Sequence, residues 1–170
     1  MRILGIDPGL QKTGWGIIEQ NNNSIKYVAS GLIKTKVKSP LFERLSKIDF
    51  DLTDIVRKFA PDIAAIEETF VNMNAASALK LGFARGVAIV APAREGLEVG
   101  EYSANFIKKS IVGNGHANKD QMGMMIRRLL PNIGKEISED EADALAVAIC
   151  HGNYSQINNK YSEALKKDIA

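Results

Sequence analysis

Four acidic residues, far apart in the sequence, each stand where a chain would direct a carboxylate into one pocket. Asp7 ends an apolar run over residues 2–6, and Glu67 ends a second run over residues 63–66. Asp140 and Asp143 lie three apart at the start of an alanine-rich helix. Oxygen ligands converging from two strand ends and a helix suit Mg²⁺ or Mn²⁺, and paired ions of that kind suit phosphodiester chemistry. The pattern indicates a nuclease.

Each of the two strand-end acids also has a simpler interpretation. Asp7 precedes Pro8-Gly9, and aspartate in that position is a common turn residue that binds its own backbone. Glu67 follows Ala-Ala-Ile and is a poor strand former, so a role in the strand itself explains it less well. Its neighbour Glu68 is an alternative for the inward-facing position.

The helix pair is more informative because a capping motif accounts for its neighbours. Ser138 and Glu141 fit a capping box, which leaves Asp140 and Asp143 unexplained. Interaction with the helix dipole is the simpler alternative for both, at about 0.3–1 kcal/mol each. However, Asp140, Asp143, Val147 and Cys150 advance by three, four and three, which predicts one core-directed stripe. Two carboxylates at the mouth of a buried face repel each other unless a cation lies between them.

The elements that must position these acids follow from periodicity and turn residues. Strands are predicted at 2–6, 14–19, 25–33, 62–67 and 97–102, and helices at 40–59, 74–94, 103–111, 118–130 and 139–152. Three meander strands followed by helix–strand units predict an α/β protein with a mixed five-stranded sheet flanked by helices, a pattern that resembles the ribonuclease H-like fold. We expect one domain over residues 1–154 and a polar C-terminal tail over 155–170 that frays.

Composition limits the class of protein. The chain has 170 residues and a net charge of only +2, but an acidic centre at residues 136–143 is flanked by basic segments at 69–94 and 102–128. This distribution is typical of a metal-dependent enzyme that acts on a polyanion. A lone Cys150 predicts a reducing compartment. We see neither a signal peptide nor an apolar stretch that approaches the ~20 residues of a membrane span, so a cytoplasmic protein without membrane contact is expected.

Five segments together resemble the RuvC family of bacterial crossover junction endodeoxyribonucleases. The likeness covers about residues 2–152, and the set is far more specific than a lone Asp-Pro-Gly. The segments are Ile3-Leu4-Gly5-Ile6-Asp7-Pro8-Gly9 with Thr13-Gly14-Trp15-Gly16, Ala65-Ile66-Glu67 with Phe70, residues 76–86, Val112-Gly113-Asn114-Gly115 with Ala117 and Lys119, and residues 140–146.

The resemblance implies a homodimeric nuclease that resolves four-way Holliday junctions by symmetric nicks in recombination and DNA repair. It implies two Mg²⁺ ions per site, which Mn²⁺ can replace, and a branch-migration complex of RuvA and RuvB as partner. The family's catalytic and metal-binding acids match Asp7, Glu67, Asp140 and Asp143, with Asp7 expected to be shared between the two ions.

The resemblance also implies DNA contacts by Phe70, Lys108 and Lys119. An aromatic ring at Phe70 can stack on an unpaired base, and the lysines can contact phosphates. From sequence alone, a core position for Phe70 and plain solvent exposure for each lysine are the alternatives. Met73 departs from the basic residue of some relatives, so the loop that carries it is expected to hold DNA differently.

Helix 74–94 bears on assembly because its apolar residues surround nearly the whole circumference. A helix of that kind is buried on both sides, so we expect the sheet to cover one side and a second subunit the other. The alternative is a central helix of a monomeric core. Rival functions are a nuclease for structured RNA or RNA–DNA hybrids, an actin-like or sugar-kinase ATPase, and an inactive junction-binding scaffold. The ATPase needs a second lobe with its own phosphate loop, for which this chain is too short.

Overall fold

The computed structural model describes residues 1–21, 24–68, 74–134 and 137–168, with side chains described through Ser155. Apart from the end of the last helix, the elements lie within a few residues of the predicted ones. They are β1 (Arg2–Asp7), β2 (Lys12–Asn21), β3 (Ser24–Lys34), α1 (Leu41–Phe59), β4 (Ile63–Glu68), α2 (Ala75–Arg94), β5 (Val99–Ser103), α3 (Ala104–Val112), α4 (Lys119–Leu129) and α5 (Glu139–Asp168).

The strands form one mixed five-stranded sheet in the order β3-β2-β1-β4-β5. β1, β2 and β3 pair antiparallel as a meander, whereas β1 pairs parallel with β4, and β4 with β5. The carboxyl ends of β1, β4 and β5 therefore meet at one edge of the sheet, together with the start of β2 and the end of β3. We call this the catalytic edge, because Asp7 and Glu67 both lie on it.

Helices cover both faces of the sheet and divide the core in two. Ile48 and Leu52 of α1 pack with Ala84 and Ala88 of α2 over one face. On the other face α3, α4 and α5 pack together, and the middle of α5 is completely buried from Ala144 to Cys150 apart from 1% of Ala146. This is the predicted α/β architecture with helices on both faces of the sheet.

The C-terminal helix is longer than expected. The sequence places its end at residue 152, but α5 continues through Asp168. The predicted helix end at residue 152 is wrong, because polar composition alone does not stop a helix in the absence of glycine or proline, and residues 153–168 contain neither. That the tail frays stays a prediction. The division into a domain and a tail stays a prediction.

The helix α2 behaves differently on its two sides. Ala84, Ala88 and Ala91 are buried against the domain, while Leu79 and Val90 are 60% and 55% exposed. By length and composition alone, α2 is apolar enough to cross a bilayer. Only 22% of its most apolar window is buried in the structure. The expectation that no apolar stretch approaches spanning length is therefore wrong for this helix. Its many alanine, valine, leucine and isoleucine residues outweigh its few basic residues in the mean hydropathy.

Candidate active site

Asp7 and Glu67 lie side by side because the strands that carry them are adjacent and parallel. Ile6 is opposite Ile66 in the register, so each acid is the next residue at the carboxyl end of its strand. Strand alternation sets the face on which each side chain lies. Ala65 packs in the α3–α5 half of the core and Ala64 in the other half, so Glu67 faces α5 and Glu68 faces away.

Two glycines allow α5 to approach the sheet closely and so bring its acids to the same edge. A Cβ built on Gly5 would lie 2.0 Å from the carbonyl oxygen of Ala144, and one on Gly14 would lie 2.0 Å from that of Asp140. No side chain fits at that distance. Gly14 is opposite Asp7 in the β1–β2 register, so the close contact fixes the backbone of Asp140 beside Asp7.

The first turn of α5 is held by the expected capping box and by a bond to the sheet. The backbone N–H of Ser138 donates to Oε2 of Glu141 (3.0 Å), and the N–H of Glu141 donates to Oγ of Ser138 (3.3 Å). In addition, Oγ of Ser30 in β3 donates to Oε1 of Glu141 (2.9 Å). These bonds lower the pKa of Glu141 against the opposing effect of its partial burial. The helix that carries Asp140 and Asp143 is thereby tied to β3.

The acids share one electrostatic environment. Burial, followed by the charges of Glu67, Asp143 and Asp140, raises the pKa of Asp7 to about 8. Burial also raises the pKa of Glu67, with Asp143 adding to the effect. The pKa of Asp143 is raised by burial first, and then by Asp140 and Glu139. Asp7, Glu67 and Asp143 therefore resist ionisation, and a cation among them would reverse that.

Two basic residues line the same cavity as the acids. Glu67 and Asp143 lie across a cavity of about 210 Å³ from Lys108 of α3 and Lys119 of α4. The charges of both lysines oppose the rise in the pKa of Asp143, and the charge of Lys108 also opposes the rise in the pKa of Glu67. Lys119 is 72% exposed, and its Nζ donates to Oε2 of Glu139 (2.6 Å). The lysines therefore border the acids from the α3 and α4 side.

The donor chemistry fits a divalent cation, although the side chains do not form a closed ligand shell. Within residues 1–21, 24–68, 74–134 and 137–155, no three His, Cys, Asp or Glu side chains are grouped as metal ligands. The carboxylates act on one another electrostatically, and burial together with their charges raises the pKa of Asp7 to about 8. Carboxylate oxygens are the ligands that Mg²⁺ uses. Ligation of an ion by three of them would require side-chain movement toward a common centre.

The structure brings the predicted site residues together as far as it describes them. Asp7, Glu67, Asp140 and Asp143 share the catalytic edge, and the predicted stripe is confirmed because Val147 and Cys150 are fully buried. Their catalytic and metal-binding roles stay predictions, as do the DNA contacts of Lys108 and Lys119. Phe70 and Met73 lie outside the described residues.

Sequence reasoning missed three residues that position the site. Ser30 has no local signal because it lies in the middle of a strand and acts across 111 positions of sequence. In the sequence Glu139 is only one residue of an acidic segment, whereas in the structure it is the partner of Lys119. Arg44 is 9% exposed and donates to the carbonyl oxygen of Leu10 (3.1 Å), which anchors the turn after Asp7. An arginine at a core-facing phase of α1 was the one available clue.

The chain is similar to proteins of a single named family over almost its whole length. The family model described as crossover junction endodeoxyribonuclease RuvC matches residues 3–151. A protein of that name from Paramagnetospirillum magneticum is 50% identical over 167 residues, which covers 98% of this chain and 100% of the relative. Another from Acidiphilium cryptum is 53% identical over 154 residues, covering 90% and 91%.

Solved structures give the same result at the level of the fold. The Thermus thermophilus RuvC structure is 30% identical with a TM-score of 0.84, covering 93% of this chain and 97% of that one. The same protein in complex with a Holliday junction substrate gives a TM-score of 0.87, covering 93% and 96%. The yeast mitochondrial Holliday junction resolvase Ydc2 is 12% identical with a TM-score of 0.69 and shows the fold alone. The predicted ribonuclease H-like resolvase fold is thereby confirmed.

Proposed function

Because the chain belongs to the RuvC family of crossover junction endodeoxyribonucleases, we propose that it resolves four-way DNA junctions by paired nicks in recombination and repair. The observation that carries the proposal is the gathering of Asp7, Glu67, Asp140 and Asp143 at one sheet edge, in a protein whose family is named for this reaction. A nuclease for structured RNA remains the alternative from sequence, but the family match favours DNA.

The four acids are proposed as the residues that would hold two Mg²⁺ ions, with Asp7 as their central ligand. Asp7 is the best placed for this because Glu67, Asp143 and Asp140 all act on its pKa. When bound, such ions supply positive charge at the scissile phosphate and lower the pKa of a bound water. The chain contributes orientation, since the strand register fixes Asp7 and Glu67 and the glycine contacts fix α5.

The lysines beside the acids, Lys108 and Lys119, are proposed to hold the phosphate backbone on the α3 and α4 side of the cut. Lys108 is half-buried and Lys119 is exposed, and both act on the charge of Asp143. The ion pair of Lys119 with Glu139 is between two exposed groups, so a DNA phosphate can replace the carboxylate at little cost. Stacking by Phe70 belongs to the same proposal and rests on the family resemblance.

We also propose that the protein acts as a homodimer in the cytoplasm, where RuvA and RuvB bind the same junction. The exposed apolar side of α2 supports the dimer, because Leu79, Phe83 and Val90 are 40–60% exposed in a single chain. A two-fold dimer presents two identical sites to a substrate whose strands are related in pairs. The partner complex rests on the family resemblance.

Cleavage of a mobile synthetic junction, with both nicks mapped, tests the proposed function. With Mg²⁺ we expect two symmetric nicks in strands of like polarity, and weaker or no cutting of linear duplex, RNA hairpin and RNA–DNA hybrid. Preferred cutting of the hybrid or the hairpin would overturn the DNA-junction assignment and favour the RNA alternative.

A matched pair of variants separates the proposed ligand from its neighbour. Glu67→Gln removes a carboxylate that faces α5 and is expected to reduce cleavage by at least 100-fold while junction binding without metal persists. Glu68→Gln alters the next residue, which faces the other way, and should retain cleavage within a fewfold. Equal losses in the two variants would contradict the assignment of Glu67.

A further inference from the structure

A second group of lysines lies on the catalytic edge, on the side of the acids away from Lys108. Lys12 begins β2 and Lys34 ends β3, and the two are opposite each other in the register. Lys36 follows in the adjoining loop, and all three side chains are exposed. Within the part of the chain that the structure describes, none of the three forms an ion pair. We call Lys12, Lys34 and Lys36 the β3-end lysines.

These lysines project from a fixed base rather than from a free loop. The buried Arg44 donates from Nε to Oγ1 of Thr35 (3.0 Å) and from its terminal nitrogen to the carbonyl oxygen of Leu10 (3.1 Å). The backbone N–H of Thr35 donates to the carbonyl oxygen of Gln11 (3.0 Å). The segment that carries Lys34 and Lys36 is thus joined to the turn that follows Asp7, so its position relative to the acids is set.

The acidic groups nearest to the β3-end lysines are largely engaged elsewhere. Glu141 acts on Lys34 but accepts bonds from Ser30 and Ser138, and Glu139 acts on Lys12 but pairs with Lys119. Beside Lys34 and Lys36 is a cavity of about 270 Å³, whose further lining includes Lys47, Arg44 and the acid Glu43. Lys47 is paired with Asp51 and Arg44 is buried, so within the described residues the excess of positive charge comes from Lys12, Lys34 and Lys36.

Along the catalytic edge, charge alternates from positive to negative to positive. The β3-end lysines lie on one flank, the four acids in the centre, and Lys108 with Lys119 on the other flank. Neighbouring strands are about 4.8 Å apart, so β3 is roughly 10 Å from β1 and from Asp7. Along the axis of a duplex a strand advances about 3.4 Å per nucleotide, so for an arm whose axis follows this edge that distance corresponds to roughly three nucleotides.

We propose that the β3-end lysines hold the phosphate backbone of the junction arm on the β3 side of the cut, about three nucleotides from the scissile phosphate. This inference rests on the proposed function, because it takes the carboxylates as the point of cleavage. The bound strand passes from this flank across the acids toward Lys108. Contacts of this kind add affinity without base specificity and fix the position of the duplex.

The salt dependence of junction binding without divalent metal tests the proposal. Each phosphate contact contributes about 0.9 to the slope of log Kd against log salt. Lys34→Gln/Lys36→Gln should reduce that slope by about 2 and weaken binding at 0.1 M salt by roughly 10- to 60-fold. The control Lys26→Gln/Lys58→Gln removes the same charge at the opposite end of β3 and in the last turn of α1, and should leave the slope unchanged.

Two further measurements locate the contacted phosphates on the DNA and separate this inference from the proposed function. Ethylation of phosphates about three nucleotides from the cut should interfere with binding of the unaltered protein but not of Lys34→Gln/Lys36→Gln. At protein concentrations below Kd, cutting by that variant should fall in proportion to its weaker binding, by the same roughly 10- to 60-fold. Equal slopes in the variant and its control, or lost cutting with normal binding, would overturn the inference. Failure of the unaltered protein to cut a junction would instead overturn the proposed function.

Discussion

At the scale of single residues, the dominant fact is that the fold gathers carboxylates against their own repulsion. The pKa of Asp7 is raised to about 8, and those of Glu67 and Asp143 are also raised. Burial is the largest cause for all three, which means that the protein keeps these groups from water despite the cost. A stability cost of this kind is expected at a site built to bind a cation.

This cost predicts how stability without metal depends on pH. Asp7 has a folded-state pKa of about 8 against an ordinary value of 3.8, so its proton is held more tightly in the folded state. Below pH 4 Asp7 is protonated in both the folded and the unfolded protein, so it does not lower the free energy of unfolding. The loss of stability grows as the pH rises toward 8 and is complete above that value. Asp7→Asn removes this loss.

We expect Asp7→Asn to stabilise the metal-free protein at pH 9 by on the order of 2 kcal/mol, or roughly 4–8 °C in Tm for a chain of this size. At pH 4 the gain should disappear. Thermal unfolding in EDTA at both pH values measures this, with the exposed Asp54→Asn as control and an expected change within about 0.5 kcal/mol. A variant that is less stable than the unaltered protein at pH 9 would argue against a strained carboxylate. Added Mg²⁺ should raise Tm of the unaltered protein more than that of Asp7→Asn.

At the scale of elements, the site depends on how closely α5 lies on the sheet. Gly14 supports Asp140 directly, since a Cβ there would meet its carbonyl oxygen. Gly14→Ala must push the start of α5 outward, so we expect cleavage to fall at least tenfold while junction binding is retained. Gly134→Ala is the control, because nothing lies within 4 Å of a Cβ at that position. Cleavage rate and metal-free binding of both variants provide the test, and unchanged cleavage in Gly14→Ala would contradict it.

The same elements show which features of the candidate site can be predicted from the sequence and which cannot. Strand ends, the capping box and the stripe of α5 follow from local rules, so the acids could be chosen in advance. The choice of Glu67 over Glu68 needed the strand to be placed in a sheet, because only the packing of Ala65 shows which face lies under α5. The bond of Ser30 to Glu141 joins elements 111 residues apart, and no local pattern predicts it.

At the scale of the whole molecule, α2 has an apolar side that the single chain leaves open. Apolar periodicity all round the helix predicted burial on two sides, and the described chain buries one of them at Ala84, Ala88 and Ala91. Sequence could not distinguish a second subunit from a larger core, because both bury the same residues. The structure favours the second subunit over the larger core, because the described residues leave Leu79 and Phe83 of α2 exposed.

A single charge on that side should separate the proposed dimer into monomers. Leu79 is 60% exposed, so Leu79→Glu disturbs little in the isolated chain but would bury an unpaired carboxylate at a dimer interface. We expect sedimentation at micromolar concentration to shift from about twice 18.6 kDa to 18.6 kDa. Phe50→Glu on α1, also exposed at 65%, is the control for an apolar-to-acidic change on a helix surface.

If the unaltered protein already sediments as a monomer, the dimer is ruled out. If Leu79→Glu stays dimeric, the interface lies elsewhere. With the dimer separated, paired nicks should become independent single nicks while the rate of the first nick changes less, because the four proposed acids of a site all belong to one chain.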